Sequence, residues 1–156
     1  MRRGIHEYTD YGDGLDLDAE VCVVGSGCGG ATIARKLAQA GIDVVVLEQG
    51  GFYPAEDMDE QELSMAGRIS AERNFDSTED GGCNLLYGHN IGGASVHYWA
   101  DSYRTPPEKL DAWRERYGVT GHGEADLAPA FDELERTLNV HPAPDEYFNR
   151  MNELMR

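Results

Sequence analysis

The sequence predicts an α/β fold, a Rossmann-like βαβ core with helical insertions, and three observations between residues 21 and 51 predict it. Two short apolar runs, Val21–Val24 and Val44–Leu47, have the length of strands. Between them Gly25-Ser26-Gly27-Cys28-Gly29-Gly30 breaks the first run, and a helical pattern continues through Ala40 before Gly41 stops it. An acidic residue, Glu48, closes the second run. Strand, glycine turn, helix, strand and terminal acid, in that order, form the unit that binds an adenine dinucleotide. Each part has a physical reason. Gly25 permits the tight turn out of the strand, Gly27 keeps side-chain atoms away from a pyrophosphate, and Gly30 lets the helix pack close to the strand. The free N–H groups and positive dipole end of the helix favour the phosphates. Glu48 is placed to accept hydrogen bonds from a ribose diol. A glycine-rich loop alone would be weak evidence; the register of all five parts decides. No basic residue stands just after Glu48 to hold a 2′-phosphate, which disfavours NADP.

Charge excludes several function classes. The chain has 156 residues, with 29 acidic against 13 basic ones and a formal net charge of −16. Such a surface repels nucleic acid and anionic membranes, and no nucleic-acid partner is expected. Lys36 and Lys109 are the lysines, and lysine depletion beside an acid excess is read as halophilic adaptation, with an ordinary acidic protein as the alternative. Added salt is expected to screen the self-repulsion and stabilise the fold. Cys22, Cys28 and Cys83 have neither a metal spacing nor a disulfide framework, and a reducing cytoplasm is the expected location. Arg2-Arg3 is followed by a polar, acidic stretch rather than an apolar one, so an export signal is not expected. No apolar run approaches the roughly 18 residues of a membrane span.

The rest of the chain is read in order. Residues 1–17 are an acidic, glycine-punctuated arm, expected to be flexible. After the βαβ unit a long acidic connection carries weak helical spacing over Glu60–Arg73, with Leu63, Ala66 and Ile69 as its apolar positions. A connection of this length is expected to be functional or to cover a ligand. The second informative stretch, residues 81–104, holds Gly92-Gly93 beside Ser95, His97, Tyr98 and Trp99. Paired glycines allow backbone to approach a ligand and aromatics offer a flat wall; a glycine turn leading into an alternating strand explains the same residues, and both readings stand. Pro106-Pro107 opens a helix over residues 108–117, closed by Gly118. Asp126 is read as the N-cap of a helix over Leu127–Leu138, with Leu127, Phe131, Leu134 and Leu138 on one core-facing side. A stiff His141-Pro142-Ala143-Pro144 linker precedes a final amphipathic helix over residues 145–156, with Phe148, Met151 and Met155.

These residues carry a family likeness over residues 18–140. DAEVCVVGSGCGGATIARKLAQAGIDVVVLEQGG resembles the amino-terminal FAD-binding segment of the glucose–methanol–choline (GMC) oxidoreductases, and GHNIGGASVHYWADSYRTPPE resembles their second flavin-contacting segment. The histidine form is most similar to the pyranose oxidase and gluconate dehydrogenase branch. The resemblance implies a Rossmann-like FAD-binding region over residues 18–105 of a larger two-domain flavoprotein, with 106–156 a helical segment leading toward a substrate domain. It implies that Gly25, Ser26, Gly27 and Gly30 belong to the cofactor site at the pyrophosphate, Glu48 at the adenosine ribose, and Gly92, Gly93 and Ser95 along the flavin. His97 falls where that branch joins histidine to the flavin; covalent attachment and simple proximity are both left open. Ala94 replaces the usual hydroxyl residue, and Tyr98 intervenes before Trp99. Arg104 matches a basic position of the branch, with a surface arginine as the alternative.

The activity implied is oxidation of the CH–OH group of an alcohol, sugar or polyol by hydride transfer to FAD, with the acceptor of the electrons unspecified. The family's catalytic histidine lies in a later part of a longer chain, so no catalytic residue and no metal ligand is assigned here. The chain is expected to be an amino-terminal fragment or truncated frame, inactive alone. Two alternatives remain: a non-catalytic FAD-binding half that pairs with a partner chain carrying the substrate domain, and a NAD-binding module of a dehydrogenase.

Overall fold

A computed structural model describes residues 4–12, 14–98 and 100–155. Arg2, Arg3 and Trp99 lie outside the described residues, as does part of the amino-terminal arm. The chain divides into two compact units, Met1–Trp99 and Ala100–Arg156.

In the first unit the β-branched runs form strands as expected, β1 at Val21–Val24 and β2 at Val44–Leu47. They pair in parallel, Val21 opposite Val44 through Val24 opposite Leu47. The Gly25 N–H extends the ladder to the Leu47 carbonyl at 2.7 Å. Helix α1, Cys28–Gln39, is the crossover that a parallel pair needs. Gly27 is its N-cap, and it ends one residue short of the expected Ala40. Val21 and Val23 are partly covered, whereas Val24 stays 83% exposed.

Helix α2, Glu62–Ile69, is shorter than the Glu60–Arg73 expected. The cause is a competing pairing. The His89 N–H donates to the Ile69 carbonyl at 2.7 Å, the Ala71 N–H to the Tyr87 carbonyl at 3.0 Å, and Ser70 bridges Gly88. Ser70 is thereby held in extended backbone, and a 3-10 turn over Ala71–Asn74 takes the place of the expected last helical turn. A two-residue hairpin that the sequence did not suggest follows, β3 (Asp76–Ser77) against β4 (Asn84–Leu85). Asp80 holds its turn, accepting the Thr78 hydroxyl at 2.6 Å and the Gly82 N–H at 3.0 Å. Among the described residues, the strand that one reading placed after Gly92-Gly93 does not form; Gly93–Val96 is a 3-10 turn entered from Gly92 in the left-handed region. Among the described residues of this unit, Met65, Ile69 and Ala71 are the buried apolar side chains.

In the second unit α3 spans Pro107–Tyr117 and stops at Gly118, whose φ of +67° makes it the expected left-handed cap. Helix α4 spans Glu124–Leu138, three residues longer at its start than expected. Asp126 is not the N-cap. Gly123 is, and the Asp126 carboxylate at the third helical position reaches back to accept the Gly123 N–H at 2.9 Å. Of the apolar face, Phe131 lies under the Arg104 guanidinium at 5.6 Å, while Leu134 and Leu138 are about half exposed. The last expected helix splits into a 3-10 turn, Asp145–Tyr147, and α5, Arg150–Met155. Asn149 caps α5, its side-chain oxygen accepting the N–H groups of Met151 at 2.9 Å and Asn152 at 3.1 Å. Among the described residues no helix is long and apolar enough to cross a membrane.

Candidate functional site

The two glycine segments meet. β1 delivers the chain into Gly25, which takes φ +87°, and α1 starts immediately afterwards. Gly30 faces back onto this turn: a Cβ there would lie 2.0 Å from the Gly25 carbonyl oxygen and 3.3 Å from the Val23 side chain. Only glycine lets α1 sit so close. On the outer side of the loop a Cβ at Gly25 or Gly27 would meet nothing within 4 Å. No side chain caps the start of α1 and no acidic residue occupies its first turn, and its first N–H groups have no intrahelical acceptor.

Residues 88–93 run across this loop and across the turn after β2. A Cβ at Gly50 would lie 2.1 Å from the His89 carbonyl carbon, and one at Gly93 would lie 2.9 Å from the Gly27 Cα. The Ile91 N–H donates to the Gly51 carbonyl at 2.9 Å. Backbone thus packs on backbone, with glycines at the points of contact. The result is a cavity of about 360 Å³ lined by Gly25, Gly27, Glu48 and Gly93 together with Val24, Leu47, Gln49, Tyr87, Gly88 and Ala94.

Glu48 is the ionisable group of its lining, and the buried Ser26 is hydrogen-bonded to it. One Glu48 oxygen, Oε2, accepts both the Ser26 N–H at 2.9 Å and the Ser26 hydroxyl at 2.7 Å; Oε1 accepts the Gly50 N–H at 2.9 Å. Burial raises the Glu48 pKa, and the Gly50 N–H, the Ser26 N–H and hydroxyl, and the Gln49 N–H more than reverse it, so the group is held below its ordinary value. Glu48 is an anion at neutral pH, half-buried, at the cavity wall. The Ser26 hydroxyl accepts the Gly92 N–H at 3.0 Å, from a residue 66 positions away in sequence.

The remaining sequence-selected residues are placed differently. Ser26 is buried behind the loop, and Gly30 is spent on packing. The exposed Ser95 donates its hydroxyl back to the Gly92 carbonyl. His97 is half-buried just past the 3-10 turn, and its Nε2 is enclosed with no hydrogen-bond partner. In the same segment Asn90 is 1% exposed with an unpartnered Oδ1. Arg104, in the second unit, is held by α4: its Nε donates to Glu135 at 2.7 Å and its Nη2 to Asp132 at 2.6 Å and to the other Glu135 oxygen. Those partners, Glu135 first, raise its pKa further. Gly88, Tyr87 and Gln49 were not selected from the sequence. Gly88 carried a signal in its position four residues before Gly92; a Cβ there would lie 2.2 Å from the Gly93 carbonyl carbon.

The family model described as GMC oxidoreductase matches residues 20–156. A long-chain-alcohol oxidase of Arabidopsis thaliana is 33% identical over 139 residues, covering 88% of this chain and 19% of that protein. An uncharacterized GMC-type oxidoreductase of Mycobacterium tuberculosis (strain ATCC 25618 / H37Rv) is 32% identical, covering 88% of this chain and 22% of that one. Among solved structures, pyridoxine 4-oxidase from Mesorbium loti superposes with a TM-score of 0.52 at 21% identity, over 72% of this chain and 24% of that chain, a likeness of fold. The chain therefore spans about a fifth of the length of the curated relatives it matches.

Proposed function

This chain belongs to the GMC oxidoreductase family, and from that membership we propose that it supplies the FAD-binding part of an enzyme that oxidises an alcohol CH–OH group. Members of this family are flavoproteins. The observation that carries the reading is the meeting of the two glycine segments at one cavity with an ionised Glu48 in its wall. The residues fit the group. Gly25 and Gly27 leave open space at the loop before α1, as a pyrophosphate requires. Glu48 offers a carboxylate to ribose hydroxyls. Gly92, Gly93 and Ser95 would follow the flavin half, with Ala94 in the cavity wall adding no hydrogen bond. When bound, FAD supplies acceptance of the hydride from the substrate carbon. The chain's own part is to bind and orient it; no proton-transferring residue is assigned.

We carry the joint to His97 as the finer part of the proposal. Its support is the enclosed, unpartnered Nε2, since a buried polar atom without a partner costs about 1–3 kcal/mol. A nitrogen in that state is suited to a bond or contact that the protein alone does not provide. The substrate class follows the Arabidopsis relative, named for long-chain alcohols, and the electron acceptor is left open.

The test is a visible spectrum of the protein at its natural length, purified in high salt because a net charge of −16 calls for screening. Flavin bands are expected. After acid precipitation, colour retained by the wild-type pellet and lost in His97→Ala establishes the histidyl joint, while colour released to the supernatant leaves FAD bound without it. A colourless protein that takes up no added FAD overturns the reading.

A further inference from the structure

We infer that Ser26 is a positioning residue that couples the two ends of the cofactor site, so that occupation of the Glu48 end orders the Gly92–Gly93 segment. The inference rests on the dinucleotide reading above for the ligand, but the link itself is a property of the polypeptide. Ser26 is 8% exposed and touches both segments through one oxygen: Oγ lies 2.7 Å from Glu48 Oε2 and 3.0 Å from the Gly92 nitrogen. The direction of both bonds follows from the partners. An ionised carboxylate can only accept, and a backbone N–H can only donate. The single Ser26 proton must therefore go to Glu48, and its lone pair to Gly92. Bonds in such a chain polarise one another, and a buried chain is sensitive to the loss of any member.

The consequence concerns ligand choice. A dinucleotide whose ribose hydroxyls engage Glu48 fixes the carboxylate, through it the Ser26 hydroxyl, and through that the Gly92 N–H. Gly93 packs against the Gly27 Cα, so the segment that would receive the flavin is set by contacts at the adenosine end. A mononucleotide such as FMN has no adenosine ribose to place at Glu48. Ser26 thus gives the site a means of preferring FAD over FMN beyond the added contacts of the AMP half.

The link is tested first without ligand. In the protein at its natural length, hydrogen exchange at the Gly92 amide should accelerate about threefold to tenfold in Glu48→Ala, the range expected for one net hydrogen bond, although Glu48 does not touch Gly92. Ser26→Ala should do the same, and Ser26→Thr, which keeps the hydroxyl, should restore the slow rate. Unchanged exchange in Glu48→Ala overturns the coupling. The ligand arm uses saturating ADP, which should slow Gly92 exchange in wild type and not in Ser26→Ala. Saturating 2′,3′-dideoxy-ADP, lacking the ribose hydroxyls, should leave it unchanged in wild type, a comparison that needs no folded variant. Equal protection by the two nucleotides overturns the inference. Failure of any adenine nucleotide to bind overturns the dinucleotide reading instead, and leaves the ligand-free result to decide the link.

Discussion

The βαβ unit and the segment over residues 88–97 reach their shapes by opposite routes. The first holds itself, through a parallel ladder from Val21↔Val44 to Val24↔Leu47 and a twelve-residue helix between the strands. The second has one 3-10 turn of its own and takes its path from other parts of the unit: Ile69, Gly51 and Ser26 bond its backbone, and Gly50 makes room for it. One is a scaffold and the other a guest laid on it. Damage should therefore travel in one direction, from scaffold to guest.

The largest effect is expected at Gly30. An added Cβ would sit 2.0 Å from the Gly25 carbonyl oxygen, backbone that cannot turn aside. Overpacking commonly costs about 1–3 kcal/mol, and Gly30→Ala should lie at or above the top of that range. Both thermal stability and FAD binding should fall, measured by circular dichroism melting and a fluorescence titration. Gly29→Ala is the control, because its Cβ meets nothing within 4 Å and its position is helical. Replacing a helical glycine should stabilise by roughly 0.5–1 kcal/mol. If both variants melt alike, the close packing of α1 on the turn is not what holds the scaffold.

A smaller loss of stability but an equal loss of binding is expected at Gly50. Its Cβ would lie 2.1 Å from the His89 carbonyl carbon and 2.2 Å from the Asn90 nitrogen. Gly50→Ala should lift the guest from the scaffold while β1, α1 and β2 remain. The melting temperature should drop less than in Gly30→Ala, and FAD should no longer bind tightly. A variant that loses as much structure as Gly30→Ala would show that the guest supports the scaffold, and the comparison would break.

The same contrast explains what could be read from the amino acids alone. β1, β2 and the crossover were legible because period, turn glycines and terminal acid are local features, and their register follows from them. The path of residues 88–97 was not, because an alternating strand and a docked turn share the same residues, and only long-range contacts choose between them. Traces were present: Gly50-Gly51 after the acid and Gly88 before Gly92 each mark a close approach. The α4 start was misplaced because Gly123 and Asp126 both suit a helix start, and Asp126 does contribute, from inside the helix. The α2 end was misplaced because helical spacing cannot show that Ser70 is bridged to Gly88. Glu48 announced itself at the end of a strand; that Ser26 would be its partner depended on how the loop folds back.

The smallest effect, and the one that separates scaffold from guest most finely, is the response to acid. Burial pushes the Glu48 pKa up, and bonds from Gly50, Ser26 and Gln49 bring it below the ordinary 4.5. A group whose pKa is depressed on folding contributes stability that is complete above its unfolded value and disappears as pH falls through the folded one. The Glu48 contribution should therefore be constant from pH 7 to about 5 and decline only below 4.5. Other carboxylates titrate in that window, so the quantity to measure is the difference between wild type and Glu48→Gln, which should narrow as the pH falls. Protonation removes the charge that the Ser26 N–H and hydroxyl both address, whereas neither β1 nor β2 contains a carboxylate. The protection of the Gly92 amide, taken relative to the unstructured rate at the same pH, should consequently be lost at a higher pH than protection along Val21–Val24. Simultaneous loss of both would mean that the two regions open as one, and that guest and scaffold differ in origin but not in stability.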